Sequence, residues 1–195
     1  QPVFSQGYSI STAEVASTLF ENILFDAVFE KSSPEEKTAM LHQKINDDIQ
    51  TIFRQIACFN FETEMHRTIR AKGGMSKEEL RALMNKHMSA YMGPAMKIAE
   101  IDGNFFVQWG HIRRFFYVYS YAFGQLISKA LHAEYKKDKK FMVKIKQFLS
   151  AGGSDTPENI FKAIGIDVTK PDFWKKGLQS IEKDIDMLEK LTKNR

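Results

Sequence analysis

At 195 residues, 43% of them hydrophobic and including 16 Phe and 9 Met, the chain can bury one substantial core. A net charge of +4, with lysine and arginine scattered and not striped, offers nucleic acid no basic platform, and a single cysteine, Cys58, excludes a disulfide framework or a multi-cysteine metal site. No apolar run reaches the ~20 residues that cross a bilayer and the first residues carry no charged-then-apolar leader, so the expected compartment is the cytoplasm, with neither nucleic acid nor membrane as partner.

The opening, QPVFSQGYSIST, is polar and turn-rich and has no initiator methionine, which reads as a piece of a longer chain. A helix then follows from the Ser11-Thr12 pair through Lys31, with apolar residues at helical spacing. Glu14 and Glu21 stand on it seven residues apart, close to two turns, so both acids fall on nearly the same face, with Ser17 and Thr18 between them. Ser33 as N-cap, Pro34 at the first helical position and Glu36 three residues after the cap start a second, very long helix that stops at Gly73-Gly74. Ser76 and Glu79 repeat the capping signal for a third helix, closed by Gly93-Pro94. An irregular segment, IAEIDGNFFVQWGH, leads to a helix expected from Arg113 to Tyr135. The charged run YKKDKK reads as a solvated link to KKFMVKIKQFLSA, ended by Gly152-Gly153. A short helix from Thr156-Pro157 to Gly165 and a last one from Pro171 to Lys193 complete the chain. No alternating strand pattern survives, so the expected class is all-α with no significant β-sheet, as a single helical domain over 1–195.

Local metal motifs are absent. A di-iron bundle needs Glu-x-x-His pairs, and none of His42, His66, His87, His111 and His132 has a Glu three residues before it. No His-x-x-x-His pair occurs, while a zinc site needs three or four ligands. The stretch WGHIRRFFYVYSYAFG is denser in chemistry. As a helix it would align Arg113, Tyr117 and Tyr121 at i, i+4 spacing and turn Tyr119 about 200° from Tyr117. Buried tyrosine hydroxyls need partners. His111, on the segment leading into the helix, and the Tyr hydroxyls can converge on one acceptor. Such donors suit the oxyanion formed when water attacks a carbonyl. An amphipathic helix with an aromatic core face is the plainer reading of the same residues.

Three stretches, GYSISTAEVAST, HIRRFFYVYSYAFG and FLSAGGSDTPENIFKAIGIDVTKPDFW, together resemble the C-terminal part of the oligoendopeptidase F branch of the thimet-oligopeptidase family. Its members are zinc metallopeptidases that cleave short peptides inside a deep, mostly helical channel. The resemblance implies that Glu14, in EVAS, supplies the third zinc ligand, and that Glu21 accepts from a ligand histidine. It implies that His111 binds the substrate carbonyl region, that Tyr121 stabilises the tetrahedral oxyanion, that Tyr117 contacts substrate and that Arg113 tunes substrate preference. The family's other two zinc ligands and its general base come from an HExxH helix, and no HExxH occurs in these 195 residues. The implied partner is therefore the missing upstream part of the same chain. The implied activity, hydrolysis of short peptides by metal-activated water, belongs to the longer protein, and these 195 residues alone are expected to be inactive and to hold zinc weakly or not at all. The alternative is a non-catalytic helical interaction module that keeps the family shape.

Overall fold

A computed structural model of the chain describes Val3, Gly7 and residues 10–193, with Ile10 and Ser11 described by their backbone. Residues 1, 2, 4–6, 8 and 9 of the turn-rich opening lie outside the described residues. Among the described residues there is no strand, and the class is all-α. The α-helices are α1 (Ile10–Lys31), α2 (Pro34–Asp48), α3 (Gln55–Lys72), α4 (Lys77–Met92), α5 (Phe105–Gln108), α6 (Tyr119–Lys137), α7 (Met142–Ala151), α8 (Pro157–Ala163) and α9 (Pro171–Lys193). Backbone contacts resolve two compact units, one of Gln1–Asp48 with Phe123–Arg195 and one of Ile49–Ala122.

Helix ends follow local chemistry. Ser33 and Glu36 exchange bonds, Ser33 N–H to Glu36 Oε2 at 2.8 Å and Glu36 N–H to Ser33 Oγ at 3.3 Å. Ser76 and Glu79 do the same at 2.8 and 3.1 Å, satisfying two otherwise orphaned donors at the start of α4. Thr156 caps α8 by accepting from Asn159 N–H at 3.3 Å. Gly73 ends α3 in the left-handed region, φ 85°, where a Cβ is penalised. The long second helix is not regular throughout: Ile49–Arg54 forms a π-helical segment between α2 and α3. Such segments are rare and occur mostly as single turns set within α-helices.

In the first unit, α1 packs on α6. Val15 and Leu19 meet Ile127 and Leu131 in a core completed by Ile145, Phe148, Ile160 and Phe161 of α7 and α8. Polar pairs continue the seam: Asn22 Nδ2 donates to Ser128 Oγ at 3.3 Å, and Asp26 pairs with His132 at 3.0 Å and Lys136 at 2.8 Å. Burial raises the Asp26 carboxyl, but His132 and Lys136 outweigh it and hold the group at about 2. The second unit has its own core of Ala57, Cys58, Phe61 and Met65 from α3, Leu83, Met84 and Met88 from α4, and Trp109 and Val118. Burial pushes the Cys58 thiol up to about 12, so it packs as a small apolar residue and is no nucleophile. The turn after α4 is fastened to it: Asn85 Nδ2 donates to the Ala99 and Glu100 carbonyls at 3.1 Å, and Arg81 reaches Glu100 at 2.7 Å and Asn104 at 3.2 Å. A Cβ on Gly103 would collide with the Arg81 carbonyl group, whose carbon would lie 2.9 Å away. Gly103→Ala is therefore expected to cost about 1–3 kcal/mol, as overpacking does, and to lower the Tm read by calorimetry. An unchanged Tm would show that the turn lifts off α4 freely. No helix among the described residues is long and apolar enough to cross a membrane.

Candidate active site

One structural correction governs the site. The helix expected from Arg113 begins only at Tyr119. Residues Gly110–Arg114 form a 3₁₀ turn, and the chain then passes through two left-handed residues, Phe115 (φ 43°) and Phe116 (φ 56°). For bulky residues this conformation costs about 1–3 kcal/mol each and persists only where the surroundings impose it. Here α3 imposes it. Phe116 N–H donates to Glu62 Oε1 at 3.0 Å. The His66 ring lies 4.9 Å from Phe116 and 6.1 Å from Phe115, and Phe59 meets Phe116 edge-on at 6.5 Å. Arg113 and Tyr117 thus do not share a helical face with Tyr121. Arg113 is exposed, and its guanidinium reaches the Val107 carbonyl at 3.4 Å.

The reversal nevertheless gathers the expected chemistry. His111 Nδ1 is hydrogen-bonded to the Tyr117 hydroxyl, and the Tyr117 and Tyr121 hydroxyl oxygens lie 3.3 Å apart. The three rings form a triangle with centroid separations of 5.5, 5.8 and 5.8 Å. All three residues are half-buried, and the buried Trp109 ring lies 6.0 Å from the imidazole. Tyr119 turns elsewhere: it is 41% exposed and packs edge-on against Phe59 at 5.8 Å. The cluster holds two phenol O–H groups and an imidazole, a set of hydrogen-bonding groups suited to a carbonyl oxygen that gains negative charge.

The two acids of α1 belong to the other unit. Glu14 is half-buried, and no hydrogen bond or ion pair to its carboxylate is seen among the described residues. Its main-chain carbonyl accepts from Thr18 Oγ1 at 2.6 Å and Ser17 Oγ at 3.2 Å, so the small hydroxyls bend back on the helix and leave the acid. A β-carbon on Gly124 would lie 2.7 Å from Glu14 Cβ, so glycine at that point of α6 is what lets the Glu14 turn seat closely. Glu21 is exposed, at the edge of a cavity of about 460 Å³ that it shares with Phe25, Met40, Lys44 and Gln125. A zinc centre requires three or four ligands. Among the described residues no three His, Cys, Asp or Glu side chains stand together to hold a metal ion. The donor set described in this chain therefore does not by itself fit a complete metal centre.

Two buried groups carried no sequence signal. Glu62 is fully buried, its Oε2 has no hydrogen-bond partner among the described residues, and burial raises its carboxyl above the usual range. Asp48, 1% exposed, accepts from Lys129 Nζ at 2.7 Å and Gln125 Nε2 at 2.6 Å, with Lys44 at 3.7 Å bridging to Asp184. Each reads in sequence as an ordinary helix acid, since its partner lies 54 or 81 residues away.

A family model described as Peptidase family M3 matches residues 1–180. The chain is 32% identical over 165 residues to an oligoendopeptidase F homolog of Borreliella burgdorferi, which takes in 84% of this chain and 28% of that protein. It is 30% identical over 196 residues to oligopeptidase PepF of Bacillus subtilis, covering 98% and 29%. The crystal structure of oligoendopeptidase-F from Enterococcus faecium superposes with a TM-score of 0.85 at 27% identity, over 96% of this chain and 36% of that one. The chain thus spans less than a third of the length of these two curated relatives.

Proposed function

The chain belongs to peptidase family M3, and from that premise we propose that it is part of a zinc endopeptidase that hydrolyses short peptides. The observation that carries the proposal is the convergence of His111, Tyr117 and Tyr121 on one another. In the reaction, Tyr121 O–H donates to the substrate oxygen as the scissile carbonyl becomes tetrahedral. His111 holds the same carbonyl region, and Tyr117, bonded to His111, fixes the orientation of its ring. Arg113, exposed beside them, meets the flanking part of the peptide and shifts preference without taking part in bond cleavage.

Glu14 contributes one metal-binding carboxylate. A carboxylate oxygen is a donor that zinc accepts, and Glu14 presents one from a half-buried position on α1. Glu21 stands by to orient a ligand imidazole. The remaining ligands and the base that activates water are assigned to an HExxH segment of the longer protein, as the lengths of the relatives allow.

The test is reconstitution. Mixing the chain with a separately made upstream segment bearing HExxH is expected to yield chelator-sensitive cleavage of a quenched fluorescent peptide. Glu14→Ala in this chain is expected to abolish that cleavage and the stoichiometric zinc seen by calorimetry. A complex with Glu14→Ala that binds zinc and cuts as fast as the unaltered one would show that Glu14 is no ligand.

A further inference from the structure

We propose that Glu62 is a positioning residue for the His111–Tyr117–Tyr121 cluster, acting through the main chain of Phe116. The proposal rests on the reading of that cluster as the substrate-binding wall, but its test is independent of activity.

The chain of contacts is short. Glu62 is fully buried on α3, and its Oε1 accepts from Phe116 N–H at 3.0 Å. Phe116 is the second of two left-handed phenylalanines, and the residue that follows is Tyr117, whose hydroxyl meets His111 Nδ1. Freed from the carboxylate, residues 115–116 would relax toward negative φ. That change redirects the chain at Tyr117 and takes its hydroxyl away from the imidazole. His66 and Phe59 grip only the Phe side chains; Glu62 is the group that holds the main chain itself. A buried carboxyl spent on one amide, with its second oxygen unpartnered among the described residues, is a poor device for stability. It is a good device for fixing a backbone that would otherwise choose another conformation.

Three variants of the 195-residue chain separate positioning from packing. Glu62→Gln keeps an acceptor for Phe116 N–H. Glu62→Asp keeps the carboxyl but withdraws it by one carbon. Glu62→Leu removes the acceptor and fills the space. Isotope-labelled samples give three readouts: hydrogen exchange at the Phe116 amide, the His111 ring-nitrogen shifts, which report whether Nδ1 is engaged, and the methyl signals of Leu83 and Met84 as a gauge of the surrounding core. Glu62→Gln is expected to preserve all three. Glu62→Asp and Glu62→Leu are expected to speed Phe116 exchange roughly 10- to 100-fold and to move the His111 nitrogens to their unengaged values with the methyl signals in place. Where Leu disrupts the core, Asp decides. Unaltered His111 shifts in a folded Asp or Leu variant would overturn the proposal. So would a Gln variant that behaves like Leu, or unfolding in Asp and Leu alike, because Glu62 would then be holding the core and not the turn.

Discussion

On the role proposed for Tyr121, its replacement by Phe in the proposed longer, HExxH-bearing enzyme is expected to lower kcat about 100- to 1000-fold and to leave KM nearly unchanged. The substitution removes one oxygen and keeps the ring, so the 5.8 Å packing against His111 and Tyr117 survives. Only the donor is lost, and its charge partner exists in the transition state and not in the bound peptide, which is why the loss falls on kcat. Tyr119→Phe serves as the control. Its ring is turned to Phe59 and takes no part in the triangle, so kcat is expected to change less than two-fold. Tyr117→Phe lies between them: it breaks the bond to His111 Nδ1 and frees the ring to rotate, an indirect loss. Steady-state kinetics on a single quenched peptide reads all three. Equal losses at 119 and 121, or a Tyr121 effect confined to KM, would remove Tyr121 from the oxyanion role.

What the sequence made legible and what it did not divides along the distance between cause and effect. Ser33–Glu36, Ser76–Glu79, Thr156–Asn159 and Gly73 act within four residues, so the ends of α2, α3, α4 and α8 could be read directly. The start of α6 could not. Nothing inside HIRRFFYVYSYAFG announces a reversal, because aromatic residues fit a helix face and a packed turn equally well. The instruction sits in Glu62, 54 residues earlier, and acts only once α3 is folded beneath the turn. The Arg113–Tyr117–Tyr121 alignment accordingly failed, while the Tyr117–Tyr121 contact formed by a different backbone route. Tyr119 turned away from the cluster, toward Phe59. Glu14 is the reverse case. Its spacing on α1 was plain, but only resemblance gave it a chemical role, since a lone helix acid has no distinguishing local pattern.

Asp48→Ala is expected to destabilise the chain by about 3–5 kcal/mol, the largest effect of any single substitution considered. The wild-type acid is 1% exposed and answers two donors, Lys129 Nζ and Gln125 Nε2. Lys129 is itself 1% exposed, so removing Asp48 strands a buried cation, whereas Lys44 keeps Asp184. Lys129→Met is expected to cost less, because Asp48 retains Gln125 and Lys44. The double variant Asp48→Leu, Lys129→Met is expected to be more stable than Asp48→Ala alone, since two apolar groups replace the pair and no charge is left unmatched. The pH dependence has a definite sign. Burial, with the Lys44 charge, already lowers Lys129 to about 8 against the pull of Asp48. Without Asp48 it falls further, while an unfolded lysine titrates near ~10.4. A lysine depressed in the folded state binds fewer protons there than in the unfolded chain, so stability rises with pH between the two values. In the Asp48→Ala variant that window opens at lower pH than in the wild type. The stability gap between the two proteins, measured by urea unfolding, is therefore expected to narrow as pH is raised from 6 toward 8. A gap that stays constant or widens would mean that Lys129 reaches water once Asp48 is gone, and that the buried pair does not fix the junction of α2 and α6.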